Sequence, residues 1–485
     1  MRILGINCLN HDAAVSVIED GKILFGAHAE RYSRNKNDMH LNDDIMNHAL
    51  SFGRPNTIAY YERPWAKKSR QLYAGQYKEV FSLNNLPSNY LRNWLEGYKI
   101  NYIDHHKSHA AGGYYTSPYQ EAAIVVIDGI GEWEVLTIWH GKGTDIKKAY
   151  SIKYPHSLGL FYSAATQAIG LKPCEEEYIL MGMAAWGKDK HSLQIMDDLF
   201  NKKELLKLKH NLHKGLGSYC NGWDTFDAAA SAQTVTEIIL DKIIRYTKQL
   251  FPNVENLVYT GGCALNCVAN EKVLPKYYGN IWIMPNPGDA GSSLGAAAAL
   301  YGKHLDWNGP FLGSEIKGKY PVKDALKYLL QGDIIGIAKG RAEFGPRALG
   351  NRSLLADPRG SKIKDKVNEI KRRQKFRPFA PAVMEEYAHE IFDMPVNKIP
   401  YMQYTAACKQ PNKYPAICHV DNTSRVQTVS KKDNPGFYSL LSLFHKKTGC
   451  PMLLNTSLNI KGQPMVDTEI HAKEFENHYN IRVLS

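Results

Sequence analysis

Two well-separated stretches of this sequence share one plan, and a chain that repeats such a plan is committed to a duplicated, sheet-containing fold. The first runs from an apolar segment at Ile3–Ile6 through a polar turn at Asn7–Asp12, a run at Ala13–Ile18 and the hairpin signal Asp20-Gly21 to a third run at Ile23–Ala27. The second has an apolar run at Ala122–Ile127, the turn Asp128-Gly129-Ile130-Gly131-Glu132, a run at Val135–Trp139, a turn at His140–Gly143 and β-prone sequence up to Tyr154. Short apolar runs punctuated by turn residues read as strands, so each copy predicts a three-strand meander. In each, an acid-bearing turn joins the first two strands, where free amides can face a phosphate and a carboxylate can hold a metal.

Paired turns of this kind mark the actin-like ATPase (ASKHA) architecture, in which two facing halves, each a β-sheet with helices, hold a nucleotide in the cleft between them. Two unrelated hairpins are the alternative. The chain's 485 residues predict more than one domain, and 44% hydrophobic content suffices for a core in each. Asp306–Lys319, rich in Gly, Pro and polar residues, reads as a linker between a first domain over 1–312 and a second over 320–485. The apolar run Ile3–Ile6 is too short for a signal-peptide core and no later run approaches membrane-spanning length, so a cytoplasmic protein is expected, with no membrane partner. Eight cysteines without a CxxC pair signal neither a zinc knuckle nor a disulfide framework.

Between the two meanders, His105 and His109 stand four apart and share one face if the stretch is helical. That spacing suits a metal, although two surface histidines can show it too, and the absence of a Glu after the first His disfavours zincin chemistry. Asp128, in the second meander, and Asp289, in Pro285-Asn-Pro-Gly-Asp289, are the candidate further ligands. Two imidazoles with carboxylates suit iron(II) foremost, or manganese or zinc, and leave positions open for water or substrate. Asp227–Phe251 reads as a long amphipathic helix that is scaffold, Met181 and Met183 read as core, and Leu257–Thr260 as a strand stopping at Gly261-Gly262 before a helix containing Asn266, a geometry that places amides at a nucleotide's phosphates or ribose.

Most of the net charge of +12 is concentrated in Lys339–Arg377, where thirteen basic residues face four acidic ones. In its first half Phe344, Pro346, Ala348 and Leu349 interleave with Arg341, Arg347 and Arg352, and glycines allow close backbone approach, which suits a pocket for a phosphorylated small molecule; an arginine-rich loop pairing with acids elsewhere is the alternative. From Lys362 on, Ile363, Val367 and Ile370 recur at helical spacing, and a solvated amphipathic helix is expected. Pro451–Asn459 reads as a strand entering a polar turn whose Ser457 and Asn459 can bond a phosphate or a planar carbamate.

His11-Asp12-Ala13-Ala14, Glu30–Lys36, the His105/His109 pair, Thr260–Asn266, Gly288–Gly291, Glu343–Arg352, Arg377–Pro381 and Asn455–Ser457, in this order, resemble the O-carbamoyltransferases that include the nodulation-factor, cephalosporin, novobiocin and tobramycin enzymes. The resemblance implies a Kae-like N-terminal domain of actin-like fold followed by a YrdC-like α/β C-terminal domain. It implies that carbamoyl phosphate and ATP, with Mg2+, give carbamoyl adenylate in the C-terminal domain, and that the carbamoyl group then passes to an acceptor hydroxyl in the metal-bearing N-terminal domain. Carried over by position, His105, His109, Asp128 and Asp289 hold the metal, and Lys339, Arg341, Arg347, Arg352, Arg377, Ser457 and Asn459 bind carbamoyl phosphate and nucleotide, with Gly261, Gly262 and Asn266 on the nucleotide as well. His11, assisted by Asp12, is the expected base for the hydroxyl, and Lys36 the expected partner of a phosphate or the carbamoyl oxygen.

Family members often carry Lys where Ile179 stands, and this chain is shorter than the usual antibiotic-pathway enzyme, departures that bear on the acceptor. A sugar or natural product and a hydroxymethylated pyrimidine nucleotide or DNA both remain open, with the 362–375 helix the first place to look for contacts to nucleic acid. A homodimer is one of the assemblies open to the chain. The competing readings are a threonylcarbamoyl-type tRNA modifier and a nonenzymatic nucleotide-dependent binding protein.

Overall fold

A computed structural model describes residues 1–485. The first meander is β1 (Arg2–Asn7), β2 (Ala14–Glu19) and β3 (Lys22–His28), and β4 (Thr57–Tyr60) and β5 (Ile100–Tyr102) extend it in the order β3-β2-β1-β4-β5. The second is β6 (Glu121–Gly131), β7 (Glu134–Lys142) and β8 (Asp145–Lys153), extended by β9 (Asn256–Thr260) and β10 (Asn280–Trp282) in the order β8-β7-β6-β9-β10. In both sheets the opening strand pairs antiparallel with the strand after it and parallel with one that returns after a crossover. The halves therefore repeat in order and direction, which is the actin-like plan expected from the repeated meanders.

Between the sheets lie two helices, His105–Thr116 and Ser292–Tyr301. Their small residues are what lets them touch. A methyl group at Gly295 would stand 2.0 Å from the Ser108 carbonyl, and one at Gly5 of β1 would stand 2.0 Å from the Ser293 carbonyl. Bulkier side chains would push the histidine helix off the sheets, so the run Ser292–Leu300 is shaped by packing. The long scaffold helix spans Thr225–Leu250, capped by the Asp224 carboxylate, which accepts from the Phe226 and Asp227 amides, and it buries Val235, Ile239 and Ile243. No helix is long and apolar enough to cross a membrane.

The C-terminal region is built on a six-stranded sheet ordered Gln427–Val429, Ala380–Met384, Met452–Ser457, Arg352–Ala356, Ile335–Ala338, Val483–Leu484. Residues 306–319 are not a free linker: Phe311–Ile316 is a strand paired antiparallel with Gly340–Glu343. Three guanidiniums and one ring stitch this region to the first half. Arg31 donates to the Gly345 carbonyl at 3.0 Å, Arg34 to the Met465 carbonyl at 2.7 Å and Arg341 to the Leu24 carbonyl at 2.7 Å. Phe344 leaves its own domain and is fully buried in the first half's core with Phe25 and Ala27.

Truncating that ring removes apolar burial and leaves a cavity between the two regions, so Phe344→Ala lowers the unfolding free energy by about 3–5 kcal/mol. Urea denaturation reads this as a fall in midpoint. A change of under about 1 kcal/mol would mean that Phe344 does not hold the regions together.

Candidate active site

The helix after β5 starts at His105, so His105 and His109 fall on one face of its first turns, as their spacing requires. β6 carries Asp128 near its end, and the short turn Asp289–Gly291 carries Asp289. One donor atom from each of these residues lies within 4.8 Å of the others. The two imidazole Nε2 atoms are 3.1 Å apart; His105 Nε2 lies 3.2 Å from Asp128 and 3.5 Å from Asp289, and His109 Nε2 3.3 Å from Asp289. Two ring nitrogens aimed at each other and at two carboxylates have more lone pairs than protons to share, and a divalent cation satisfies all four groups at once. The set fits a metal that accepts nitrogen and oxygen donors.

Surrounding groups hold these side chains in place. Ser292 Oγ lies 3.2 Å from His109 Nδ1, Asn10 donates to Asp289 at 3.3 Å, and the Gly262 amide donates to Asp128 Oδ1 at 2.9 Å. Glu62, salt-bridged to Lys67 at 2.7 Å, lies 3.9 Å from His105 Nδ1. Burial opposes the charged form of His105, but the Asp289 charge and hydrogen bonds to Asp128, Asp289 and Glu62 hold its pKa well above the ordinary histidine value. Burial likewise opposes ionisation of Asp289, and the facing His105 outweighs it, keeping that carboxyl well below the usual range. The Gly262 amide is thereby committed to Asp128 and is not free for a nucleotide phosphate, which corrects the expectation for Gly262. Gly261, at φ +92°, is required because a Cβ there would stand 2.2 Å from the Ile127 carbonyl. Asn266 caps the helix Cys267–Val273 and exchanges hydrogen bonds with Gln233.

Beside this cluster His11 Nδ1 pairs with Asp12 at 2.9 Å. Burial lowers the His11 pKa, but the hydrogen bond and charge of Asp12 together with the Asp289 charge override it and raise it to about 9. Lys36 is held by Glu30 at 2.7 Å, and Glu30 sits at about 2, where the Lys36 and Arg31 charges outweigh the burial that would raise it.

In the basic stretch each charge takes a different role. The Glu343 carboxylate accepts from the Leu349, Asn351 and Arg352 amides and folds the loop. Arg352 is fully buried and donates to the Lys339, Gly340, Asn351, Ser314 and Asp467 carbonyls, and Arg341 to the Gly313, Leu312 and Leu24 carbonyls. Lys339, Arg341 and Arg352 lie outside the cavity described below, contrary to the expectation from the sequence, and the donors of Arg341 and Arg352 staple the fold. Arg347 points into the cavity.

The expected solvated helix is shorter, Ile363–Ile370, and the residues after it are not all solvated. Lys371 is buried and donates to the carbonyl and side-chain oxygens of both Ser457 and Asn459. Arg373 donates to Asn368 at 2.7 Å and stacks on Phe379 with 4.0 Å to the ring centre; Arg377 lies over Tyr178 at 4.7 Å. Arg425, at the end of the strand Thr423–Arg425, has a buried Nε without a hydrogen-bond partner. Burial, reinforced by neighbouring cations, disfavours the charge on Arg347, Lys371, Arg373 and Arg377, and burial disfavours it on Arg425. Sequence reasoning missed Lys371, Arg373 and Arg425: the first two lay inside a run read as solvated, and nothing around Arg425 marks it.

A single cavity of about 1520 Å³ takes in both sets of groups. His11, Asp12, Lys36, Asp128 and Asp289 line it, as do Arg347, Lys371, Arg373, Arg377, Arg425, Ser457 and Asn459. Met181, expected in the core, also lines it, whereas Ile179 on the same helix is buried.

A family model for the N-terminus of carbamoyltransferases matches residues 2–62 and 93–298, and one for their C-terminus matches 326–485. An uncharacterised Synechocystis protein is 32% identical, the alignment covering 96% of this chain and 92% of the relative. The nodulation protein NolNO of Sinorhizobium fredii is 30% identical over 95% of this chain and 76% of its own length. A 3'-hydroxymethylcephem-O-carbamoyltransferase of Amycolatopsis lactamdurans is 26% identical over 94% and 93% respectively.

Removing a ligand from the four-residue cluster should strip the metal. Asp289→Asn and His109→Ala, purified alongside the parent protein and assayed for bound metal, should each retain about a tenth of the parental content or less. Parental metal content in both variants would place the ion elsewhere.

Proposed function

The chain belongs to the carbamoyltransferase family, and on that premise we propose that it is an ATP-dependent O-carbamoyltransferase working through carbamoyl adenylate. The observation that carries this reading is the group of cations, Lys371 buried and Arg347, Arg373, Arg377 and Arg425 half-buried, none salt-bridged to a carboxylate, lining the same cavity as Asp128 and Asp289 of the four-residue cluster. Like charges crowded into one cavity and partly withdrawn from water are costly unless a counter-ion joins them, and ATP and carbamoyl phosphate together supply several negative charges.

In this reading carbamoyl phosphate, ATP and water give carbamoyl adenylate, phosphate and pyrophosphate. Arg347, Arg373 and Arg425 stabilise charge on the transferring and leaving oxygens, and Lys371 orients Ser457 and Asn459 toward the carbamate. The acceptor hydroxyl then attacks the carbamoyl carbon, its proton passes to His11, held by Asp12, and AMP leaves. The metal that His105, His109, Asp128 and Asp289 would hold, with iron(II) the leading candidate, supplies Lewis-acid polarisation when bound. Lys36, tethered by Glu30, lines the cavity where it can meet a phosphate or carbamoyl oxygen. The acceptor is a hydroxyl on a sugar-like molecule or on a hydroxymethylated nucleotide.

The two half-reactions are separable by substitution. With labelled carbamoyl phosphate and ATP but no acceptor, the parent protein should release pyrophosphate and accumulate carbamoyl adenylate. Arg347→Ala should lower that rate by roughly a hundredfold or more, whereas His105→Ala should keep adenylate formation and lose transfer. The opposite pattern would mean that the two sites are exchanged. Because His11 must be neutral to accept the proton, the transfer rate should rise with pH toward about 9, and Asp12→Asn, which removes the group raising that value, should move the rising limb to lower pH. A limb unmoved by Asp12→Asn would exclude His11 as the base.

A further inference from the structure

Residues 63–92 fall outside the family match, which stops at 62 and resumes at 93, yet they line the metal-bearing side of the cavity. Their base is fixed to the metal site. Arg63 pairs with Asp104 and with Glu132, whose carboxylate also accepts from the His105 amide at 3.3 Å, and Lys67 pairs with Glu62. An element anchored there and lying outside the family model is placed to select what the transferred group is delivered to.

Its chemistry narrows the choice. The cations of this segment that line the cavity are already committed within the protein. Lys67 is neutralised by Glu62 at 2.7 Å; Lys68 donates to the Glu79, Val80 and Ser82 carbonyls and to Asn85; Arg70 donates to the Glu132 carbonyl and to Gln76. A phosphate backbone requires several available cations, and this segment does not offer them. By contrast Gln71, only 8% exposed, lines the cavity with an amide that no protein group pairs, open to a neutral ligand able both to donate and to accept.

An apolar shoulder flanks the same face. On the helix Pro64–Tyr73 four of the cavity-lining residues, Pro64, Lys67, Lys68 and Gln71, fall on one side with Arg70 beyond one edge of it, and Trp65 and Leu72, seven apart, form the opposite edge. Trp65 is 70% exposed and Phe81, beside the cavity-lining Ser82, is 75% exposed. Large aromatic rings left in water on the segment that carries this amide suit the apolar face of a ring-bearing ligand.

Resting on the carbamoyl-transfer reading above, we propose that residues 63–92 are the acceptor-recognition element and that the acceptor is an uncharged hydroxylated ring carrying an apolar group, of the glycoside class. Its hydroxyls meet Gln71, and its apolar part lies on Trp65 and Phe81.

The test measures transfer from labelled carbamoyl phosphate, with ATP and the metal-loaded full-length protein, to para-nitrophenyl glucoside, para-nitrophenyl N-acetylglucosaminide and hydroxymethyl-deoxycytidine monophosphate. The expected result is transfer to at least one glycoside in preference to the nucleotide. Trp65→Ala/Phe81→Ala should raise the KM for that glycoside about tenfold with kcat unchanged, as loss of a stacking anchor does. Transfer to the nucleotide in preference, no transfer to either glycoside, or an unchanged KM would overturn the proposal. So would sedimentation showing a parental dimer that the double variant dissociates, since the aromatic shoulder would then be an interface between copies. A parent protein that releases no pyrophosphate without acceptor refutes the adenylate reading instead, so the two failures are told apart.

Discussion

Like charges gathered in one cavity are the constraint on which this structure depends. Asp128, Asp289 and Glu62 lie on one part of its wall or just behind it, and Arg347, Lys371, Arg373, Arg377 and Arg425 line another, the cations without a carboxylate partner among them. A fold tolerates such groups only if rigid elements hold them and ligands of opposite charge join them. The duplicated sheets supply the first requirement on the acidic side: β6 carries Asp128, and the small-residue helix Ser292–Tyr301 lets the histidine helix lie close against it. On the cationic side, the Glu343 carboxylate folds the loop that aims Arg347, while Arg352 spends its donors on five carbonyls and keeps that loop in place.

The two parts line one cavity because the chain does not separate where composition suggests it would. Residues 306–319 pair with the strand that precedes the Glu343 loop, Phe344 is buried among side chains of β3, and Arg31 reaches back to Gly345. The residues that build the ligand loop are therefore also the residues that join the domains. Disturbing the junction disturbs the cavity.

The duplicated meanders and the clustering of His105, His109, Asp128 and Asp289 were legible in the sequence because both rest on local signals: turn residues between apolar runs, a four-residue histidine spacing, and acids bounded by glycine. The roles of the basic residues were not. Arg341, Arg347 and Arg352 look alike in a list of charges, and only the loop geometry sends the middle one into the cavity and turns the outer two onto backbone carbonyls. Lys371 was hidden by helical spacing that ends one residue before it, and Arg425 by its distance in sequence from every other cation of the group. Gly262 misled in a different way, since a glycine pair after a strand suits a phosphate as well as it suits the Asp128 carboxylate that takes the amide.

The central claim is that activation and transfer share one continuous cavity, so an intermediate formed at the cations reaches the acceptor without entering solvent. A pulse–chase measurement tests this directly. Carbamoyl adenylate is first formed on the protein from labelled carbamoyl phosphate, and acceptor is then added together with a large excess of unlabelled carbamoyl phosphate and unlabelled carbamoyl adenylate. If the two steps share the cavity, the first turnover yields product that retains nearly all of the label. Label diluted to the ratio of the mixed pools would show that the intermediate leaves the protein and returns, and would contradict the account.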